Sequence, residues 1–84
     1  MDQNLFVTIK DRSGRIFEGN AASVTSFNQK GKFDILPTHS NFITLIEKDI
    51  IIQNKQGETK TFKIENGVLR VVRDVVDIFL GIKK

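Results

Sequence analysis

The chain has 84 residues, of which 39% are hydrophobic and 27% charged, a balance typical of a small folded protein and unlike a disordered one. This length allows a single domain, which we assign to residues 1–84. The sequence contains no cysteine, no apolar run near the ~20 residues that span a bilayer, and no signal-peptide layout. We therefore expect an intracellular protein without disulfides or thiolate metal sites.

The net charge of +3 does not define a binding surface, because positive and negative residues alternate along most of the chain. Lys10 and Arg12 flank Asp11, for example. Lys30 with Lys32, and the two lysines at the C-terminus, are the local exceptions. Mixed charges of this kind predict a solvated surface.

Alternation of apolar and polar residues is the main structural signal. Leu5, Val7 and Ile9 share one face of a predicted strand, and the alternation returns in residues 59–64, 68–72 and 76–80. This period predicts strands with one buried face. The continuous apolar runs 42–46 and 50–52 predict strands covered on both faces.

Turn residues separate these predicted strands. Gly with polar neighbours occurs at residues 12–14, 18–20, 28–31, 55–57 and 65–67, which predicts antiparallel strands joined by turns. Pro37 is expected to end the strand 32–36. No stretch has helical periodicity, so the sequence predicts an all-β sandwich or barrel. The residues expected in its core are Val7, Ile9, Val24, Ile35, Leu36, Phe62, Leu69, Val71 and Ile78.

The sequence offers no constellation typical of catalysis. His39 is the one histidine, and its neighbour Ser40 points the opposite way on an extended chain, so the two do not form a dyad. Asp74 and Asp77 are expected as a turn residue and a surface residue. There is no phosphate-binding loop and no set of metal ligands. We expect no enzyme activity, no cofactor and no metal.

Two other functional classes fit the composition. A small, basic, all-β chain with seven phenylalanines is compatible with a barrel that stacks nucleic-acid bases. However, it has no Tyr or Trp, and Phe27, Phe33, Phe42 and Phe62 stand among aliphatic residues, which favours a core role. A generic β-sandwich interaction module is the second alternative.

One ordered set of motifs extends over most of the chain. Phe17-x-Gly19-x-Ala21-x-x-Val24 precedes Gly31-x-Phe33-x-Ile35-Leu36-Pro37-x-His39, Thr44-Leu45 comes next, and residues 65–71 close the pattern. These motifs resemble the N-terminal domain of the F-type ATP synthase epsilon subunit, called delta in mitochondria.

The resemblance implies a fold and a location. It implies a two-sheet antiparallel β-sandwich of about ten short strands without an active site. The implied partners are the gamma subunit and the polar loops of the c-ring. The implied location is the cytoplasmic face of the bacterial plasma membrane, with no nucleic acid bound and membrane contact only through the complex.

The resemblance also implies residue roles. The c-ring-facing turn corresponds to Asn28, Gln29, Lys30, Gly31 and Lys32, and the gamma-facing strip to Pro37, His39 and Thr44. Thr38 and Asn66 stand where the family has glycine; we expect Thr38 to resist positive φ and Asn66 to tolerate it in a turn. The family's C-terminal helical hairpin, an inhibitory arm, has no counterpart in residues 81–84, so coupling without inhibition is expected.

Overall fold

The structure is a computed structural model that describes residues 4–38 and 41–81, and every regular element in them is a β-strand. The predicted all-β fold is confirmed. The seven strands are β1 (Leu5–Asp11), β2 (Gly14–Ala21), β3 (Ser23–Asn28), β4 (Gly31–Ile35), β5 (Phe42–Gln53), β6 (Thr59–Val72) and β7 (Val75–Leu80). Within the described residues, no helix has the length and apolar character needed to cross a bilayer.

The seven strands form one continuous hydrogen-bonded sheet with the order β2-β1-β7-β6-β5-β3-β4. One pair departs from the expected antiparallel pattern: β1 and β7 are parallel, with Val7 opposite Val76 and Ile9 opposite Ile78. Parallel neighbours need a long connection, and here almost the whole chain lies between them.

The two longest strands, β5 and β6, bend between two layers. They pair along their whole length, but the register shifts between Glu47 and Lys48. Glu47 is opposite Asn66 and Lys48 is opposite Ile64, so Glu65 is an extra residue on β6. Lys48 has a φ of 74°, in the left-handed region. Such a bulge bends the strand and increases its twist. Because the long strands β5 and β6 each belong to both layers, seven strands take the place of about ten short ones in two separate sheets.

Contacts between distant strands show that the sheet folds over on itself. The ring centroids of Phe17 on β2 and Phe62 on β6 are 5.8 Å apart, although β1 and β7 lie between these strands in the sheet. In a flat sheet, three strand spacings would separate them by about 14 Å. The two halves therefore pack face to face, which confirms the β-sandwich.

One hydrophobic cluster fills the space between the layers. Seven of the nine predicted core residues are buried in it, and Phe62 is half-buried against it. Leu36 is the exception, with 55% of its surface exposed. Its prediction as core was wrong because Ile35 faces inward at the end of β4, so the next residue faces outward. The buried hydrophobic residues are Leu5, Val7, Ile9, Ala21, Val24, Ile35, Ile46, Ile50, Ile52, Leu69, Val71, Val76 and Ile78.

Three of the predicted turns share one local design, an Asp or Asn followed three residues later by Gly. The carboxylate or amide oxygen of the first residue accepts the N–H of the residue two positions on: Asp11 from Ser13 at 2.7 Å, Asn28 from Lys30 at 2.9 Å, and Asn54 from Gln56 at 3.0 Å. The glycines that follow have φ of 125°, 120° and 89°, which only glycine adopts easily. The turns predicted at 12–14, 28–31 and 55–57 are confirmed.

The other two predicted turns lie inside strands. Residues 18–20 belong to β2, and residues 65–67 belong to β6. Gly67 has a packing role there, because a Cβ at this position would lie 2.8 Å from the carbonyl oxygen of Phe79 on β7. Asn66 has no positive φ, so the expected turn at this residue was wrong. Its glycine neighbour permits close strand pairing and does not reverse the chain.

Candidate functional site

The β3–β4 hairpin tip, residues 28–32, is the turn predicted to face the c-ring. Gln29, Lys30 and Lys32 are exposed, while Asn28 and Gly31 are half-buried. Asn28 and Gly31 pair across the turn, and Gly31 has a φ of 120°. The chain reverses here within two residues, so the two lysines extend from a short, well-fixed loop.

The first half of β5, residues 42–46, is paired with β6 and not with β3. These residues pair with β6, from Val71 to Gly67, whereas β3 pairs with β5 only at residue 47 and at residues 51–53. Ile43 and Leu45 point outward with 65% and 72% of their surface exposed. The prediction that this apolar run is covered on both faces was therefore wrong for the chain alone.

A notch separates the hairpin tip from this part of β5. It has a volume of about 570 Å³ and is lined by Asn28, Gln29 and Lys30 on one side and by residues 42–47 with Asn66 on the other. Asn28 Nδ2 donates to Thr44 Oγ1 across it at 3.3 Å. The turn predicted to face the c-ring and the strand predicted to face gamma thus adjoin each other.

The loop between β4 and β5 carries the rest of the predicted gamma-facing strip. Pro37 is half-buried just after β4, while His39 lies outside the described residues. The loop is fixed to the β6–β7 turn by two hydrogen bonds. The Thr38 N–H donates to Asp74 Oδ1 at 2.7 Å, and the Arg73 N–H donates to Asn41 Oδ1 at 2.9 Å.

An apolar outer face continues from Ile43 and Leu45 across β6, β7 and β1. Leu45 is opposite Val68, Val68 is opposite Phe79, and Phe79 is opposite Lys10. The Phe79 ring is 48% exposed, and Lys10 Nζ lies 5.9 Å from its centroid. An ion pair, Arg70 to Asp77 at 3.1 Å, interrupts this face. Sequence analysis missed these residues; the available signal was an apolar residue at every position of 68–69, 71–72 and 75–76.

The geometry of the described residues does not favour the alternative of a nucleic-acid-binding barrel. Phe33, Phe42 and Phe62 pack against the core, as predicted, so they do not form a flat stacking surface for bases. Phe27, which was predicted to have the same role, is half-buried and is not among the residues packed against the core. Lys60 Nζ covers the rings of Phe17 and Phe62 at 5.6 and 6.0 Å. Among the described residues, no three His, Asp or Glu side chains lie together as metal ligands would.

Comparison with known proteins assigns this arrangement to a family. Residues 4–81 match the family described as "ATP synthase, Delta/Epsilon chain, beta-sandwich domain". The chain belongs to this family. The resemblance carried by the glycine, Pro37 and Thr44 motifs is thereby confirmed.

Members of the family with related sequences include bacterial ATP synthase epsilon chains. The chain is 37% identical over 60 residues to that of Sulfurimonas denitrificans, covering 70% of this chain and 46% of the relative. It is 29% identical over 79 residues to that of Wolinella succinogenes, covering 93% of this chain and 60% of the relative. The chain therefore spans about half to three fifths of the length of these relatives.

Solved structures share the fold. A chain in the cryo-EM structure of the Euglena gracilis mitochondrial ATP synthase (OSCP/F1/c-ring) superposes with a TM-score of 0.87 at 18% identity, covering 95% of this chain and 52% of that one. A chain in the Tetrahymena thermophila mitochondrial ATP synthase (central stalk/c-ring) gives 0.76 at 12% identity, covering 94% and 64%.

Thr38, which stands where the resemblance implies glycine, has a backbone conformation that glycine adopts easily. Its φ is 66°, in the left-handed region, so the expectation that a β-branched residue would resist this conformation was wrong. The hydrogen bond from its N–H to Asp74 holds it there. Tertiary contacts have overridden a local preference.

Proposed function

We propose that the chain serves as a non-catalytic rotor component of an F-type ATP synthase, joining the gamma subunit to the polar loops of the c-ring. In this role it stiffens the joint through which ion translocation drives ATP synthesis. The observation that carries the proposal is the match of residues 4–81 to the delta/epsilon β-sandwich family. The similar chains in structures named for F1, c-ring and central stalk support it.

The proposal includes a location. The sequence relatives are bacterial epsilon chains, and a rotor subunit of a bacterial enzyme works on the cytoplasmic face of the plasma membrane. The chain is then held at the membrane through its partner subunits.

The hairpin tip supplies the proposed contact with the c-ring. Lys30 and Lys32 are exposed on a short turn, and neither forms an ion pair with another described residue. Such cations interact well with carboxylates or carbonyl oxygens of an approaching polar loop. The proposed gamma contact lies next to it, around Pro37, His39 and Thr44.

Charge reversal at the hairpin tip tests the proposal. An enzyme lacking its epsilon subunit is reconstituted with the wild-type chain or with the Lys30→Glu/Lys32→Glu double variant, and ATP-driven proton pumping is measured. We expect the wild type to restore coupling and the variant to restore less of it. A matched control, Lys60→Glu/Lys63→Glu, changes the net charge equally on another part of the surface. Equal pumping by both variants contradicts the assigned contact, and no restoration by the wild type contradicts the proposed function.

A further inference from the structure

The β4–β5 loop and the β6–β7 turn hold each other by reciprocal hydrogen bonds. The Thr38 N–H donates to the Asp74 carboxylate at 2.7 Å, and the Arg73 N–H donates to the side-chain oxygen of Asn41 at 2.9 Å. Each segment supplies one backbone donor and one side-chain acceptor. The bonded residues are 36 and 32 positions apart in the chain, so these bonds join two distant segments. We call these four residues the loop clamp.

The loop clamp is anchored to the sheet through the backbone of Asp74. The Phe6 N–H at the start of β1 donates to the Asp74 carbonyl oxygen at 2.9 Å. Val75, the next residue, is opposite Phe6 on β1 and Val72 on β6. The Asp74 side chain is half-buried and aimed at the β4–β5 loop. A fixed strand end therefore positions the carboxylate that holds Thr38.

Backbone strain is concentrated in the loop clamp. Four non-glycine residues in the described part of the chain have positive φ, and three of them, Thr38, Arg73 and Asp74, belong to the clamp. A two-residue turn with positive φ at both positions favours Asn-Gly, whereas this turn carries Arg-Asp. Asp74 brings the acceptor for Thr38, which glycine lacks. Strained residues of this kind cluster at ligand clamps and binding surfaces.

The clamped loop carries part of the proposed gamma-facing strip. Pro37 precedes Thr38, and Asn41 is followed by β5, which contains Thr44. Leu36, just before Pro37, has 55% of its surface exposed. The clamp thus holds residues on both sides of the loop without covering its outer surface. A surface loop that is fixed before binding loses less conformational entropy when a partner binds.

We propose that Asp74 and Asn41 are positioning residues for the gamma contact, because through the loop clamp they hold the β4–β5 loop in the conformation that binds gamma. This inference rests on the proposed function, which puts gamma next to Pro37 and Thr44. Neither positioning side chain has to touch gamma. An unclamped loop occupies the binding conformation only part of the time, and its apparent affinity falls by that fraction.

Two substitutions at Asp74 separate the hydrogen bond from the turn. Asp74→Gly removes the acceptor but suits positive φ, so the turn is retained, whereas Asp74→Asn keeps both a side-chain oxygen and tolerance of this backbone. Calorimetric titration measures binding to a gamma-containing F1 enzyme that lacks its epsilon subunit. We expect Asp74→Gly to bind about three- to tenfold more weakly than the wild type, as for one lost hydrogen bond, and Asp74→Asn to bind within about twofold of it.

Amide hydrogen exchange shows whether the effect passes through the clamp. We expect the Thr38 N–H to exchange at least about threefold faster in Asp74→Gly, and the Arg73 N–H to do so in Asn41→Ala, because each loses its acceptor. The amide of buried Leu69 should exchange at the wild-type rate in both variants. Asn41→Ala should also bind the F1 enzyme more weakly, and Asn41→Asp, which keeps the acceptor, should not.

Asp11→Gly is the matched control, because it removes the same kind of hydrogen bond, from the Ser13 N–H, in a different turn. It should bind like the wild type. Equal losses in Asp11→Gly and Asp74→Gly, or wild-type affinity in Asp74→Gly, would overturn the positioning role. So would a loss in Asp74→Asn as large as in Asp74→Gly, since the carboxylate charge itself would then contact gamma.

The two proposals fail in different ways. If the wild-type chain binds the F1 enzyme and the Asp74 and Asn41 variants bind equally well, the positioning role is wrong and the proposed function stands. If the wild-type chain does not bind, the proposed function is wrong and this role with it. Unchanged exchange of the Thr38 N–H in Asp74→Gly contradicts the clamp whether or not gamma binds.

Discussion

At the residue scale, positive φ marks residues whose backbone is held in a conformation that is unfavourable for side chains other than glycine. Thr38, Arg73 and Asp74 have φ of 66°, 50° and 66°. Arg73 and Asp74 form a two-residue hairpin loop between Val72 and Val75, and positive φ at both positions is the type I′ geometry that Asn-Gly prefers. The Asp74 carboxylate accepts a hydrogen bond from the Thr38 N–H, which links the positive-φ residue Thr38 to the hairpin loop.

Replacing Thr38 should therefore stabilise the domain. Thr38→Gly removes the cost of about 1–2 kcal/mol that a left-handed backbone imposes on threonine. It also makes the unfolded chain more flexible, which lowers stability by about 0.5–1 kcal/mol. We therefore expect the free energy of unfolding to rise by about 0.5–1 kcal/mol. The N–H donor to Asp74 is retained. Urea denaturation measures the change, with Thr61→Gly, in a strand without positive φ, expected to lose stability. A loss in Thr38→Gly as large as in Thr61→Gly would contradict this account.

A buried leucine and an exposed leucine should differ in how much their truncation lowers stability. Leu69 is fully buried, so Leu69→Ala should lower the free energy of unfolding by about 2–4 kcal/mol through lost burial and a residual cavity. Leu45 is 72% exposed, so Leu45→Ala should stay within about 0.5 kcal/mol of wild type.

Leu45→Ala should affect binding to the gamma subunit although it leaves stability almost unchanged. We expect Leu45→Ala to weaken recovery of gamma by co-purification with a domain that is folded, as judged by circular dichroism. Unchanged recovery would place the gamma contact elsewhere on the surface.

At the scale of elements, the central strand pair depends on a close backbone approach. Gly67 on β6 lies against the carbonyl oxygen of Phe79 on β7, where a Cβ would be only 2.8 Å away. The local sequence, a glycine between polar and apolar residues, looks like a turn. Only the pairing with β7 shows why glycine is needed.

Gly67→Ala should therefore destabilise the domain. The added methyl group has to displace the backbone of β7, and overpacking of this kind costs about 1–3 kcal/mol. Gly19→Ala is the matched control, because its Cβ would meet only the Phe17 side chain at 3.4 Å, which can shift. Thermal unfolding followed by circular dichroism compares the two, and equal melting temperatures would refute the packing role of Gly67.

At the scale of the whole molecule, one small core lies inside a sandwich that exposes several large apolar side chains. Ile43, Leu45 and Phe79 expose between 48% and 72% of their surface on one side of the sandwich. Large contiguous apolar patches on a protein surface are typical of interaction sites. The hairpin tip next to it is polar and cationic, so the molecule presents two chemically different surfaces side by side.

The inhibitory arm gives a test of the chain as a whole. Residues 4–38 and 41–81 contain strands and turns without a helical hairpin, so we expect this β-sandwich by itself to restore coupling without braking ATP hydrolysis. Hydrolysis and proton pumping are measured together after adding the chain to an enzyme that lacks epsilon. Strong inhibition of hydrolysis, or ATP binding by the isolated chain, would contradict the expectation.

The sequence by itself determined the fold class, most of the core and three turns. Alternation identifies the buried faces of β1, β6 and β7 because side chains of a strand point to opposite sides. The Asx-x-x-Gly turns were predictable because they depend on hydrogen bonds within four residues. The family motif further predicted which turn and which strip belong to the candidate site.

Only the tertiary structure decided how the two layers are joined and which surface remains open. The bend at Glu47 and Lys48, the parallel pairing of β1 with β7, and the role of Gly67 all depend on strands distant in sequence. For the same reason the apolar run 42–46 predicted burial on both faces, whereas Ile43 and Leu45 are exposed on the outward face. Neighbouring residues in sequence determine the hydrogen bonds of a turn and the side of a strand on which each side chain lies. Whether that side is buried depends on what the rest of the chain, or a partner, packs against it.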